Sequence, residues 1–139
     1  YLRIDLPTGS HLSAIWLDGY NGGDTRAFIG VMSGPQFTVP ASEAMFRVGE
    51  ILGYTLFGTA ADAVQVGQDL LLPMSTGELA QGFTPPLTGE SYTFWFDQLG
   101  PSTDVTLRFE VTAVPEPAAA TLLLGGALIL VVHRFKRSH

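Results

Sequence analysis

"TDVTLRFEVTAV", residues 103–114, decides the fold of this chain. Val105, Leu107, Phe109, Val111 and Ala113 alternate with Asp104, Thr106, Arg108, Glu110 and Thr112. A strict period of two sends the apolar set to one side of a β-strand and the polar set to the other. One side meets a core and one meets water, which is the pattern of an antiparallel sheet rather than a parallel one.

The same reasoning extends outward. "SYTFWFDQL" (91–99) is a second strand. Tyr92, Phe94 and Phe96 point to the core, while Trp95 shares its side with Thr93 and Asp97, so Trp95 is expected to be exposed. "YLRIDL" (1–6) alternates Leu2, Ile4 and Leu6 with Arg3 and Asp5. It opens inside a strand at Tyr1, which suggests that residues precede it. "HLSAIWLDGY" (11–20) and "RAFIGVMSG" (26–34) are apolar on both sides, as central strands are. "DGYNGGD" (18–24) has the glycines of a hairpin turn between them. "AMFRVGE" (44–50) and "ILGYTLFGTA" (51–60) read as further strands. "ADAVQVGQDLLLPM" (61–74) reads as a strand, with a short helix as the alternative, and "STGELAQGFTPPLTGE" (75–90) as a long polar loop.

Seven or eight short strands with Gly and Pro turns predict a mainly β chain. The expected architecture is an antiparallel β-sandwich, jelly-roll-like, followed by one short C-terminal hydrophobic helix. The 139 residues suffice for one such domain, placed at 1–113. The net charge of −6 argues against nucleic acid as a partner, because phosphate binding needs a basic face. The chain has no Cys, which excludes disulfides, thiolate catalysis and Cys-based zinc sites.

Residues 114–139, "VPEPAAATLLLGGALILVVHRFKRSH", have a different composition. Pro115 and Pro117 fix the backbone and lack N–H donors, and Glu116 before a proline is held extended. The joint is therefore stiff and exposed, a shape a protease can bind. Residues 118–132 carry no charge. As a helix they reach roughly 22 Å, against about 30 Å for the hydrocarbon of a bilayer. Snorkelling by Arg134, Lys136 and Arg137, with Phe135 at the interface, extends that reach. A terminal helix docked on the body is the alternative, but such a helix needs a polar stripe that 118–132 lacks. Three of the seven Lys and Arg lie at 134–137, whereas all thirteen Asp and Glu precede the apolar run. The positive-inside rule then keeps the basic end cytoplasmic and exports the acidic body.

Val114-Pro115-Glu116-Pro117, an apolar helix and a terminal Arg/Lys cluster together resemble the PEP-CTERM sorting signal. The resemblance covers 114–137. It implies a bacterium of Gram-negative type and a membrane-embedded exosortase that processes the chain near Pro-Glu-Pro. It also implies an inner-membrane stage with the C-terminus cytoplasmic, and then a cell-surface or extracellular-matrix location, often associated with exopolysaccharide. The chain is in that case a substrate of the sorting enzyme and, by virtue of this motif, not itself an enzyme.

The body offers few catalytic constellations. His11 is the one histidine before the tail, too few for a His-based metal cluster. Ser33 in "VMSGP" lacks the Gly-x-Ser-x-Gly elbow, so a triad using His11 has little support. Scattered carboxylates leave a small tethered hydrolase as a distant reading. Asp18, Asn21 and Asp24 are weak candidate ligands for Ca²⁺, set against a plain polar turn. Among the aromatics, which include Trp16 and Tyr20, Trp95 is the candidate carbohydrate contact, set against a structural tryptophan. No cofactor is expected. The sequence thus predicts an exported, transiently anchored surface or matrix protein with a structural or adhesive role. A tethered carbohydrate-binding module is the alternative.

Overall fold

A computed structural model describes residues 1–22, 25–98 and 103–115. The chain is mainly β. Its strands are β1 (Leu2–Asp5), β2 (Ser10–Gly22), β3 (Arg26–Ser33), β4 (Gly53–Gly58), β5 (Ser91–Gln98) and β6 (Thr103–Ala113). They form a four-stranded sheet in the order β1-β5-β3-β4 and a two-stranded sheet β2-β6, and every strand pairs with its neighbours antiparallel. A short helix α1 (Leu71–Ser75) and a 3₁₀ turn (Val48–Glu50) complete the described elements.

β6 alternates as its sequence demands. Val105, Leu107 and Phe109 are half-buried against the core, whereas Asp104, Thr106, Arg108 and Glu110 are exposed. The core ends at Phe109, however, and Val111 and Ala113 lie in solvent. β2 follows a different rule. Its register against β6 slips between Leu12 and Ala14 and again between Leu17 and Gly19, leaving Ser13 and Asp18 as extra residues. Each bulge resets the two-residue alternation. Leu12, Ile15, Leu17 and Tyr20 can therefore all reach one core despite their uneven spacing. The second edge of β2 is held by backbone hydrogen bonds from residues 67, 70 and 87 and by the Asp69 carboxylate.

β3 is the central strand the sequence predicts, buried on both sides. Ala27, Ile29 and Val31 join Leu12, Ile15, Leu17, Phe94 and the α1 residues Leu71 and Met74 in the main core. Full burial of one such side chain contributes about 1.5–3 kcal/mol. Phe28 points the other way, into a smaller cluster with Val39, Ala44, Ile51 and Trp95. Residues 34–52 fold over that side of the four-stranded sheet and close it.

Two expected strands are absent. Residues 44–50 form turns and the 3₁₀ helix, because Arg47 binds Glu43 and Glu50 four back and three ahead, at helical spacing. Ala44 is buried there, whereas Met45 and Phe46 are exposed, a burial order no strand produces. Residues 61–74 make two isolated bridges, Val64 to Phe57 and Asp69 to Trp16, and then enter α1. Pro73 lies in the first turn of that helix, where its missing N–H costs nothing. β4 starts so close to α1 that a Cβ on Gly53 would collide with the Met74 carbonyl. The expected turn 18–24 is also displaced, since β2 runs on through Gly22. The expected helix at 118–132 lies outside the described residues. Among those described, no helix is long and apolar enough to cross a membrane.

Candidate functional site

The most ordered polar array among the described residues lies on the outer side of the β2–β6 ladder. Ladder register sets Trp16 opposite Arg108, and the bulge at Asp18 turns its carboxylate toward the same guanidinium. Arg108 donates from Nε to Asp18 Oδ2 at 2.9 Å and from Nη2 to Oδ1 at 3.3 Å. Its guanidinium carbon sits 5.5 Å from the centroid of the Trp16 ring. The Trp16 indole donates from Nε1 to Glu110 Oε2 at 3.0 Å. Ser13, the other bulged residue, donates to the Glu110 carbonyl at 3.0 Å, and its Oγ lies 3.0 Å from Thr112 Oγ1.

This array does little for stability. The Arg108–Asp18 side chains are 56% and 36% exposed, and such pairs contribute about 0–1 kcal/mol. An exposed cation–π contact adds about 0.5–1 kcal/mol. The array combines a half-buried indole, two carboxylates, a guanidinium and two hydroxyls, held in fixed relation by the bulged ladder.

The residues expected from sequence are placed differently. Trp95 is not exposed. It retains 5% of its surface and packs on Phe28 and Phe37, with ring centroids 5.2 and 6.1 Å away. Its neighbour Thr93 is buried as well, its hydroxyl donating to the Gly34 carbonyl at 2.9 Å. The structure therefore gives Trp95 the structural role and leaves Trp16 on the outer surface. Of the weak Ca²⁺ candidates, Asp18 is engaged by Arg108 and Asn21 lies in β2 opposite Asp104, while Asp24 lies outside the described residues. Among the described residues no group of three or more His, Cys, Asp or Glu gathers as a metal site. His11 lies on β2 opposite Thr112, and Ser33 lies on β3 in the other sheet.

Each of the four arginines of the body pairs with a carboxylate: Arg3 with Asp5, Arg26 with Asp62, Arg47 with Glu43 and Glu50, and Arg108 with Asp18. The hydrogen bonds from Arg26 hold the Asp62 carboxyl below its usual range, and those from Arg47 do the same for Glu50.

Among the described residues, Val114 makes the last backbone hydrogen bond to the body. Its N–H donates to the Gly9 carbonyl at 2.7 Å, and its side chain is 47% exposed. Pro115 follows in solvent. Glu116, Pro117, Arg134, Lys136 and Arg137 lie outside the described residues. No family model, curated protein or solved structure matches the chain.

Proposed function

We propose that the chain is an exported surface or matrix protein, held in the membrane during sorting and processed near Pro-Glu-Pro by an exosortase-type enzyme. Its body is a jelly-roll-like β-sandwich with a structural or adhesive role, and residues 118–132 form the short membrane helix. The observation that carries this reading is the order of parts in 114–137: a proline-stiffened joint, an uncharged run and a basic cluster. The exit of the chain supports it. β6 stays paired through Ala113, the Val114 N–H donates to the Gly9 carbonyl, and Pro115 has no N–H with which to continue the ladder. A joint that begins where the folded body stops is accessible to a processing enzyme.

Mass spectrometry of the mature protein from its native host tests this. The expected result is a C-terminus near residues 114–117 with everything beyond removed. A mature chain that retains Arg134, Lys136 and Arg137 overturns processing and makes the segment a permanent single-pass anchor. One observation favours a second reading, the tethered carbohydrate-binding module: the outer array offers an indole beside two carboxylates and a guanidinium, groups that stack on and hydrogen-bond to sugars. In that reading Trp16 replaces Trp95 as the contact. Binding on a glycan array that is abolished by Trp16→Ala distinguishes it from a purely structural role.

A further inference from the structure

β6 has one strand neighbour, β2, and among the described residues no backbone pairs with its other edge. A free edge is a row of N–H and C=O groups ready to accept another strand, and folded proteins blunt such edges with proline, bulges, short length or charged side chains. Of these β6 has only charges, Asp104, Arg108 and Glu110, which are of both signs. It runs 11 residues without Pro or Gly, and both register slips of its ladder insert their extra residue on β2. The free edge of β1, by contrast, spans 4 residues. The inward side of β6 is also incompletely covered. It borders a cleft of about 370 Å³ lined mainly by apolar side chains, among them Phe57, Phe96, Val105, Leu107 and Phe109, with Asp97 as its one charged residue, and Val111 beyond it is 43% exposed.

We infer that β6 pairs antiparallel with β6 of a second copy, about a two-fold axis at Phe109. The charges on the strand select that register. A two-fold at Arg108 sets Arg108 against itself, and one at Glu110 opposes two carboxylates. One at Leu107 sets Asp104 against Glu110, again a repulsive pair. A two-fold at Thr106 matches Asp104 with Arg108 but pairs only residues 103–109. The axis at Phe109 pairs 105–113 and sets Arg108 opposite the partner's Glu110 twice, with no like-charge pair.

The same axis places Thr106 opposite Thr112 on the outer side and Leu107 opposite Val111 on the inner side. The groups needed for the charge pairs are free to make them. Asp18 takes Nε and Nη2 of Arg108, leaving Nη1, and the Trp16 indole takes Oε2 of Glu110, leaving Oε1. A two-fold perpendicular to the sheet keeps both inner sides on one level, so the two clefts open onto each other and exclude water together. The contact is isologous and closes at two chains rather than growing into a filament.

Sedimentation of the full chain in non-ionic detergent tests the pairing. The wild-type chain is expected to be a dimer. Arg108→Glu or Glu110→Arg turns two attractive cross-strand pairs into two repulsive ones and weakens the dimer by about thirtyfold. The double variant carrying both substitutions restores it. A monomeric wild type, or a dimer indifferent to either single substitution, overturns the inference; the second result assigns association to the apolar segment instead. Cross-linking keeps the test independent of fold damage. The chain contains no Cys, so mixing Thr106→Cys chains with Thr112→Cys chains is expected to give a disulfide between the two kinds. Thr106→Cys alone is expected to give none. Failure of the mixed pair to cross-link under oxidation also overturns the register.

Discussion

Trp95→Ala separates a structural tryptophan from a surface contact by magnitude. Trp95 is 5% exposed and lies between Phe28 on β3 and Phe37 on the covering segment, with Val39, Ala44 and Ile51 completing the cluster. A buried aromatic removes 150–250 Å² from water, and at about 25 cal/mol per Å² that is roughly 4–6 kcal/mol. The alanine recovers part of this, and large-to-small aromatic substitutions in cores cost about 3–5 kcal/mol. A loss of about 4 kcal/mol is a large share of the 5–15 kcal/mol that holds a typical domain together. With a urea slope of about 2 kcal/mol/M, the unfolding midpoint should fall by about 2 M. The assay is urea unfolding of the full chain in non-ionic detergent, read by tryptophan fluorescence. The chain has two tryptophans, so Trp16 remains as the reporter in the variant. A shift below about 0.5 M, equivalent to about 1 kcal/mol at the same slope, would refute the reasoning. It would mean that residues 34–52 do not hold Trp95 against the sheet in solution.

Two further outcomes follow from single side chains. Asp69 Oδ1 accepts the N–H of Ile15 on β2 and of Leu71 at the start of α1, both at 2.9 Å, and so joins the sheet edge to the helix. Asp69→Ala strands two part-buried donors and should cost about 2–4 kcal/mol in the same unfolding assay, whereas Asp69→Asn keeps an acceptor and should cost less. The Asp62 carboxyl, held low by hydrogen bonds from Arg26, should titrate below an ordinary aspartate when followed by NMR, and Arg26→Gln should return it to the usual range. Because the folded value is the lower one, any stability from this pair is present above the unfolded pKa and is lost as pH falls through the folded pKa. Asp62 is exposed, so the titration rather than the unfolding midpoint is the measurement to make.

How much of the fold the sequence reveals depends on whether a segment keeps its own period. β5 and β6 do, so the side each residue faces can be read from spacing, although Val111 and Ala113 prove exposed and Thr93 and Trp95 buried. β2 does not. Leu12 and Ile15 are three apart and Leu17 and Tyr20 are three apart, which reads as a strand apolar on both sides and hence as a central strand. The bulges at Ser13 and Asp18 produce the same spacing in a strand with only one side on the core. Residues 44–50 mislead for a related reason. Their apolar residues suit a strand, but Glu43, Arg47 and Glu50 are spaced for a helical turn, and that charge pattern was the better guide.

The candidate site was hidden by a limit that periodicity cannot overcome. Alternation in "SYTFWFDQ" correctly puts Trp95 on the side shared with Thr93 and opposite Phe94. What lies on top of that side is a separate question, answered by residues 34–52, some fifty positions away in the chain. Phe37 and Val39 cover the indole, and Gly34 takes the Thr93 hydroxyl that made the face look polar. Trp16 is the reverse case. It sits within an apolar-looking stretch, yet it is only half-buried on the outer side of the two-stranded sheet, and its partners Arg108 and Glu110 come from a strand more than ninety residues later. A polar neighbour within a strand predicts the face, and only the covering layer predicts the water. The joint at 114–117 escapes this limit because its properties are local. Pro115 and Pro117 fix φ and remove two N–H donors in any context, which is why the proposed sorting reading needs no partner from elsewhere in the chain.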